Sequence, residues 1–286
     1  MGKQIPFKKV AIIAGSGSLP IELAIGAIDA GIEPFLVGIR DVASDKIEAF
    51  PHVYLGYGQV GKMFEMLRER EISHVAFAGG IKARPNFASF RLDLKTVKLL
   101  PKIMSLIASG DNTLLKGVIE IFESEDITMV GAHEIAPQLL CEAGAIVGKK
   151  PSKKLLENIQ LGFTACKMLG TLDVGQATIV EAGRVVALEG VEGTDGMIMR
   201  IIELRKSGRM PQEGKQGVLV KTMKPGQDMR ADLPTIGPKT IENVKRAGLL
   251  GIALEAGRTL ILSKDETLAK AKAEGIFIYG LVGSDE

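Results

Sequence analysis

The stretch VAIIAGSGSLPIELAIGAIDAG, residues 10–31, decides the fold. VAIIAG is a short unbroken apolar run, the pattern of a strand covered on both faces. GSGSLP turns the chain, Pro20 stands where a first helical turn accepts proline, and Gly31 is placed to end the helix. The same order of strand, loop and helix then recurs. Residues 34–39 (PFLVGI) and 52–58 (HVYLGYG) read as further strands, KMFEMLRERE as an amphipathic helix, and 74–81 (HVAFAGGI) as another buried strand. Helices over 93–108 and 113–124 and a strand over 127–132 complete the series. Alternating helices and buried strands imply an open parallel sheet, so residues 1–135 are expected to form a Rossmann-like α/β domain.

Residues 136–152 read as a linker, with GAIVGKKPSKK supplying its glycine, proline and lysine. Ser152 is placed to cap a helix running through Leu169. Beyond it the pattern changes. QATIVEAGRVVALEG is two β-rich runs joined at Ala182-Gly183, a hairpin signal, and LLGIALEAGRTLIL repeats that signal at Ala256-Gly257. Helices near 197–206, 239–247 and 265–274 and the strands GVLVKTM and IFIYGLV fill out a second, mixed α/β domain over 153–286. A cleft between the two domains is the expected place for an active site.

Bulk composition excludes several classes. The chain has 286 residues, 46% hydrophobic and 24% charged, the profile of a globular protein. A formal net charge of +2, 5% aromatic content and no tryptophan argue against a nucleic-acid surface. Cys141 and Cys166 form no ligand or redox motif, His52, His74 and His133 are scattered, and buried reduced thiols of a cytosolic protein are expected. No run of apolar residues reaches membrane-spanning length.

Four constellations carry candidate chemistry. Gly15, Ser16, Gly17 and Leu19 lie in a loop between strand and helix, where backbone amides can approach an anion. A dinucleotide fingerprint wants a third glycine where Pro20 stands. Asp41, near the second strand's end, keeps a nicotinamide cofactor open, and a tight turn without ligand is the plain alternative. Gly79 and Gly80 end a parallel strand, with Lys82 and Arg84 beyond them, and suit either close ligand approach or a simple turn. In ALEGVEGTDGM, Glu189, Glu192 and Asp195 interleave with glycines, which gives the carboxylates freedom to converge on Mg²⁺ or Mn²⁺. There Thr194 or Asp195 is expected to cap the following helix. At KPGQDMRADLPTIG, Lys221 just before the stretch and Lys224 and Arg230 within it surround Gln227, Asp228 and Asp232, a mixture that suits a metal with a phosphate. The prolines at 225 and 234 hold this stretch to a loop or single turn. A charged surface loop with local ion pairs is the alternative.

These motifs, together with AGGIKARP and DVGQA (which contains Gln176), occur in the order of the UDP-2,3-diacylglucosamine pyrophosphatases of the LpxI type, which the chain resembles over nearly its whole length. That resemblance implies a lipid A biosynthesis enzyme of Gram-negative bacteria. It would use a divalent cation to release UMP and 2,3-diacylglucosamine 1-phosphate, with water attacking the α-phosphorus. It further implies a cytoplasmic homodimer in transient contact with the inner membrane, no nucleic-acid partner, and an essential aspartate falling on Asp228. On this reading Asp228 and Asp195 hold the metal, with Glu192 and Asp232 as further catalytic candidates. Lys221, Lys224 and Arg230 offset phosphate charge, and Gln176, Glu189, Thr194 and Gln227 join the glycine loops and Lys82 in binding substrate. An NAD(P)-dependent oxidoreductase and a non-catalytic nucleotide or lipid sensor are the rival readings.

Overall fold

The computed structural model of the chain describes residues 6–81, 92–107, 111–211 and 216–283. Two compact units emerge: Met1–Gln138 with Asp228–Asp232, and Leu139–Gln227 with Leu233–Glu286. Lys82 and Arg84 lie outside the described residues.

The first unit runs β1 (Lys9–Ala14), α1 (Leu19–Asp29), β2 (Glu33–Ile39), β3 (His52–Leu55), α2 (Val60–Glu69), β4 (His74–Ala78), α3 (Leu94–Ile107), α4 (Asp111–Glu123), β5 (Thr128–Met129) and the single turn α5 (Ala132–Ile135). Its five strands are all parallel, as the sequence predicts, and lie in the order β3-β2-β1-β4-β5. The strand expected over 127–132 shrinks to two residues, because Gly131 caps α5, which takes Ala132. Central position explains the apolar run of β1, whose Val10, Ala11, Ile12 and Ala14 have no exposed surface. One core joins Val37, Val75 and Met129 of the sheet to Phe64 of α2 and Phe122 of α4, and Ala231 of the returning segment packs against it.

The second unit runs β6 (Gly144–Val147), α6 (Lys153–Thr171), β7 (Ala177–Glu181), β8 (Arg184–Leu188), α7 (Gly193–Lys206), β9 (Val218–Lys221), β10 (Thr235–Ile236), α8 (Pro238–Arg246), β11 (Gly251–Glu255), β12 (Leu260–Ile261), α9 (Lys264–Ala273) and β13 (Phe277–Leu281). Six strands form a mixed sheet, β6-β13-β11-β9-β7-β8, while β10 and β12 pair separately. The alternation of β9 shows how the sheet is covered. Val218 and Val220 pack with Ile159, Phe163 and Cys166 of α6. Leu219 packs with Met197, Ile198 and Ile201 of α7 and with Ile241 and Val244 of α8. Gly162, Cys166 and Gly170 recur every four residues along α6, and a Cβ at Gly162 would sit 2.5 Å from Val220. Small residues on one helical face therefore set the helix-to-sheet distance. Ser152 caps α6 as expected, accepting from the Leu155 amide.

Two expectations change here. Ala182 and Gly183 both adopt positive φ, 52° and 76°, as a two-residue hairpin between antiparallel β7 and β8 requires. At Ala256-Gly257 only Gly257 does, and the second hairpin does not form. β11 instead lies between β9 and β13, parallel to both, and β12 pairs with β10. All five residues of β11 are buried, the mark of a central strand with no vacant edge. Residues 144–147, expected within a linker, form an edge strand antiparallel to β13.

Candidate functional site

In the first unit the strand order reverses at the β1–β4 pair, and ligands of open α/β sheets bind beyond the carboxyl ends of strands at such a point. Gly15–Gly17 and Gly79–Gly80 occupy that position and bind each other. The Gly15 amide donates to Ala78 O (2.8 Å), the Ser16 amide to Gly80 O (2.9 Å) and the Gly80 amide to Ser16 O (3.1 Å). The Ser16 hydroxyl also donates to Gly80 O, at 2.9 Å. A Cβ on Gly15 would lie 2.7 Å from Gly80 O, and one on Gly79 only 2.3 Å from Ser16 O. Close loop-to-loop contact thus accounts for these two glycines without any ligand. Gly17 differs: its φ is +97° and a Cβ there would meet nothing within 4 Å. Leu19 opens α1, which has Pro20 in its first turn. A cavity of about 830 Å³ lies at the other end of the sheet, lined by Lys9, Glu33 and Phe35 from the amino-terminal parts of β1 and β2 and by Arg70 at the end of α2. Its position is wrong for the switch-point crevice.

Asp228–Asp232 form the single turn expected of them, closed by the Ala231 amide on Asp228 O at 3.1 Å. Arg230 grips Asp228 through Nη2 to Oδ2 (2.7 Å) and Nε to Oδ1 (3.1 Å), and its own amide also donates to Oδ1 (2.9 Å). The guanidinium holds the Asp228 carboxyl below its usual range against the opposing pull of burial. Arg230 reaches Glu123 at the end of α4 as well, through Nη1 at 2.9 Å. This Glu123–Arg230–Asp228 chain leaves Asp228 an ionised, partly exposed carboxylate fixed by backbone and side chain together. Asp232 follows it on the exposed side of the turn.

In the second unit the polar groups gather where β9 ends and β7 begins. Lys221, only 8% exposed, donates to Thr194 Oγ1 (3.1 Å) and Thr235 O (3.0 Å). Thr194 donates to Glu189 Oε1 (2.6 Å), and the Gln176 amide to Glu189 Oε2 (2.8 Å). Gln176 Oε1 is buried with no hydrogen-bond partner. Lys224 pairs with Asp173 at 2.7 Å, and its amide donates to Gln227 Oε1. The other acids of ALEGVEGTDGM go elsewhere. Glu192 pairs with Arg200 at 3.4 Å, and Asp195 accepts from Asn243 (2.8 Å) and pairs with Lys239 (3.2 Å). Helix α7 begins at Gly193 with Glu192 at its N-cap, so neither Thr194 nor Asp195 caps it. Among the described residues no three His, Cys, Asp or Glu side chains gather as a cation cage. Asp195 and Asp228 fall in different units, and neither unit by itself brings them together.

A family model described as the LpxI N-terminal domain matches residues 9–139, and one described as the LpxI C-terminal domain matches 142–279. UDP-2,3-diacylglucosamine pyrophosphatase LpxI of Caulobacter vibrioides is 36% identical over 274 residues, 96% of this chain and 98% of the relative. The chain belongs to the LpxI family. Within this LpxI chain, sequence reasoning named Glu189, Thr194, Lys221, Lys224 and Asp228 but not their anchors. Glu123 sits in an ordinary-looking helix, while Asp173 in DVGQA and Thr235 in KPGQDMRADLPTIG lie inside the quoted motifs, where no local pattern marks them as partners of Lys224 and Lys221. Glu255 was also missed: 2% exposed, it accepts both contacts of Lys167 (2.9 Å each) and the Met223 amide (2.8 Å). An acid ending the otherwise apolar run GIALE was the available signal.

Proposed function

We propose that this chain hydrolyses UDP-2,3-diacylglucosamine to UMP and 2,3-diacylglucosamine 1-phosphate in lipid A biosynthesis, with water attacking the α-phosphorus. The observation that carries this reading is end-to-end similarity to a relative named for that pyrophosphatase. Mg²⁺ or Mn²⁺ is the expected cofactor. Mg²⁺ keeps several waters and often takes one or two carboxylates plus substrate phosphates, so one or two acids of this chain would suffice for it. Asp228, held ionised by Arg230, fits as the protein's carboxylate for such an ion, with Asp195 the second candidate. The ion would supply neutralisation of charge on the pyrophosphate oxygens. The chain's own cations do the rest: Lys221, fixed by Thr194 and Thr235, and Lys224, fixed by Asp173, offset charge on the departing phosphate. The same reading takes the protein as a cytoplasmic homodimer that touches the membrane surface. No helix among the described residues is long and apolar enough to cross a membrane.

Purified protein with Mg²⁺ and UDP-2,3-diacylglucosamine should release UMP, and Asp228→Ala should abolish release while keeping the wild-type melting curve. Hydrolysis in ¹⁸O water should label UMP; label in the lipid phosphate overturns the site of attack. Full activity in excess EDTA overturns the role of the cation.

A further inference from the structure

We propose that Glu189 is a positioning residue that acts through Thr194 to aim the Lys221 ammonium, whose remaining N–H then binds a phosphate oxygen of the ligand. The inference rests on the hydrolase reading above.

Donor and acceptor counting fixes the direction of the chain. A carboxylate only accepts, an ammonium only donates, and a hydroxyl has a single proton. Glu189, 7% exposed, takes the Thr194 proton at 2.6 Å, while its second oxygen is held by the Gln176 amide at 2.8 Å. Only lone pairs of Thr194 remain for Lys221, and Lys221 Nζ donates to one at 3.1 Å. Thr235 O takes a second N–H at 3.0 Å. The third has no acceptor among the described residues, and Lys221 forms no ion pair with any of them. A cation this buried, without a carboxylate in contact, is costly to desolvate. Glu189 offsets that cost from one hydroxyl away, and an anionic oxygen on the third N–H completes it. A carboxylate bonded directly to Nζ would compete with the ligand; the intervening hydroxyl orients the cation and leaves it available.

The experiment combines steady-state turnover of UDP-2,3-diacylglucosamine with ¹⁵N NMR of the lysine ammonium groups, the Lys221 signal being assigned by its loss in Lys221→Arg. Glu189→Gln has nearly the same shape but offers one acceptor where Thr194 and the Gln176 amide need two. Thr194→Val removes the hydroxyl at nearly constant volume. Each should lower kcat by about 10- to 100-fold with KM changed by less than about threefold, because phosphate charge grows in the transition state. The double variant should lose no more than either single one, since both break one chain. Thr194→Ser should keep kcat within about threefold. The Lys221 signal should shift in Glu189→Gln and Thr194→Val and stay in place in Thr194→Ser. Wild-type kcat in Glu189→Gln or Thr194→Val, additive losses, or lowered stability with unchanged kcat per folded molecule would each overturn the proposal. Absence of UMP release by the wild-type protein would instead defeat the hydrolase reading. In that case the NMR shifts alone decide whether Glu189 positions Lys221.

Discussion

Gly79→Ala tests whether the paired glycines serve the chain or a ligand. At φ +85° an added Cβ would stand 2.3 Å from Ser16 O, and real Cβ atoms are not found closer than 3.0 Å. Ser16 O must therefore retreat by about 0.7 Å, which breaks its 3.1 Å bond from the Gly80 amide. Losing that bond costs about 1 kcal/mol. Holding alanine at positive φ costs about 1–2 kcal/mol more. The sum, about 2–3 kcal/mol, should lower the first unit's thermal midpoint by roughly 10 °C. Gly17→Ala is the control: it carries the positive-φ cost alone, about a half to two thirds of the whole, because nothing lies within 4 Å of its Cβ. Calorimetry and urea titration of both variants measure the difference. A Gly79→Ala midpoint within about 2 °C of wild type, or a Gly17→Ala loss as large as that of Gly79→Ala, would refute loop-to-loop contact as the reason for Gly79.

Other expectations follow from single contacts. Arg205 and Glu181 are both buried and paired at 2.5 Å, with Arg205 Nε also donating to Ala247 O at 2.8 Å. Glu181→Leu should cost about 3–5 kcal/mol in urea titrations, and adding Arg205→Leu should recover most of it. The Asp228 carboxyl is depressed below 3.8 by Arg230, so its contribution is present above that pH and lost as pH falls through the lower folded value. The stability gap between wild type and Arg230→Met should accordingly be constant from neutral pH down to about 5 and shrink below about 4 in acid titrations. Burial pushes the Cys141 and Cys166 thiols up to about 12. Both should resist a disulfide reagent at pH 8 in the folded protein and react at once in guanidinium; rapid native labelling would contradict their burial.

The parallel sheet of the first unit was legible because its strands carry their burial in composition: after Lys9 and His74 at their starts, β1 and β4 are apolar to the end. The β7–β8 hairpin was legible for a different reason, since both of its turn residues adopt the conformation the dipeptide suggested. Ala256-Gly257 shows the limit of that signal. The Ala256 amide bonds Leu281 O and the Gly257 amide Cys141 O, partners far along the chain that no local pattern contains. The acids of ALEGVEGTDGM show the same limit at the site. Where α7 begins decides which way Glu189, Glu192 and Asp195 face, and they face three different sets of partners. Within its own loop Asp228 stood level with Asp232, and only the resemblance favoured it; the grip of Arg230 that fixes it is seen in the structure. That its loop packs on the core of the first unit was not legible, because Glu123 and Arg230, like Ala231 and the cluster around Phe122, meet only by tertiary contact.

The chain's return at Asp228–Asp232 also sets a timetable. The first unit is finished only after the 89 residues from Leu139 to Gln227 have been made. At about 5–20 residues per second on the ribosome that is a wait of roughly 5–18 s. Until then Glu123 has no Arg230, and no cut between the units yields two whole pieces. A nascent first unit lacks the carboxylate on which the proposed chemistry depends, so competence arrives late in synthesis, with the far side of the second unit still to come.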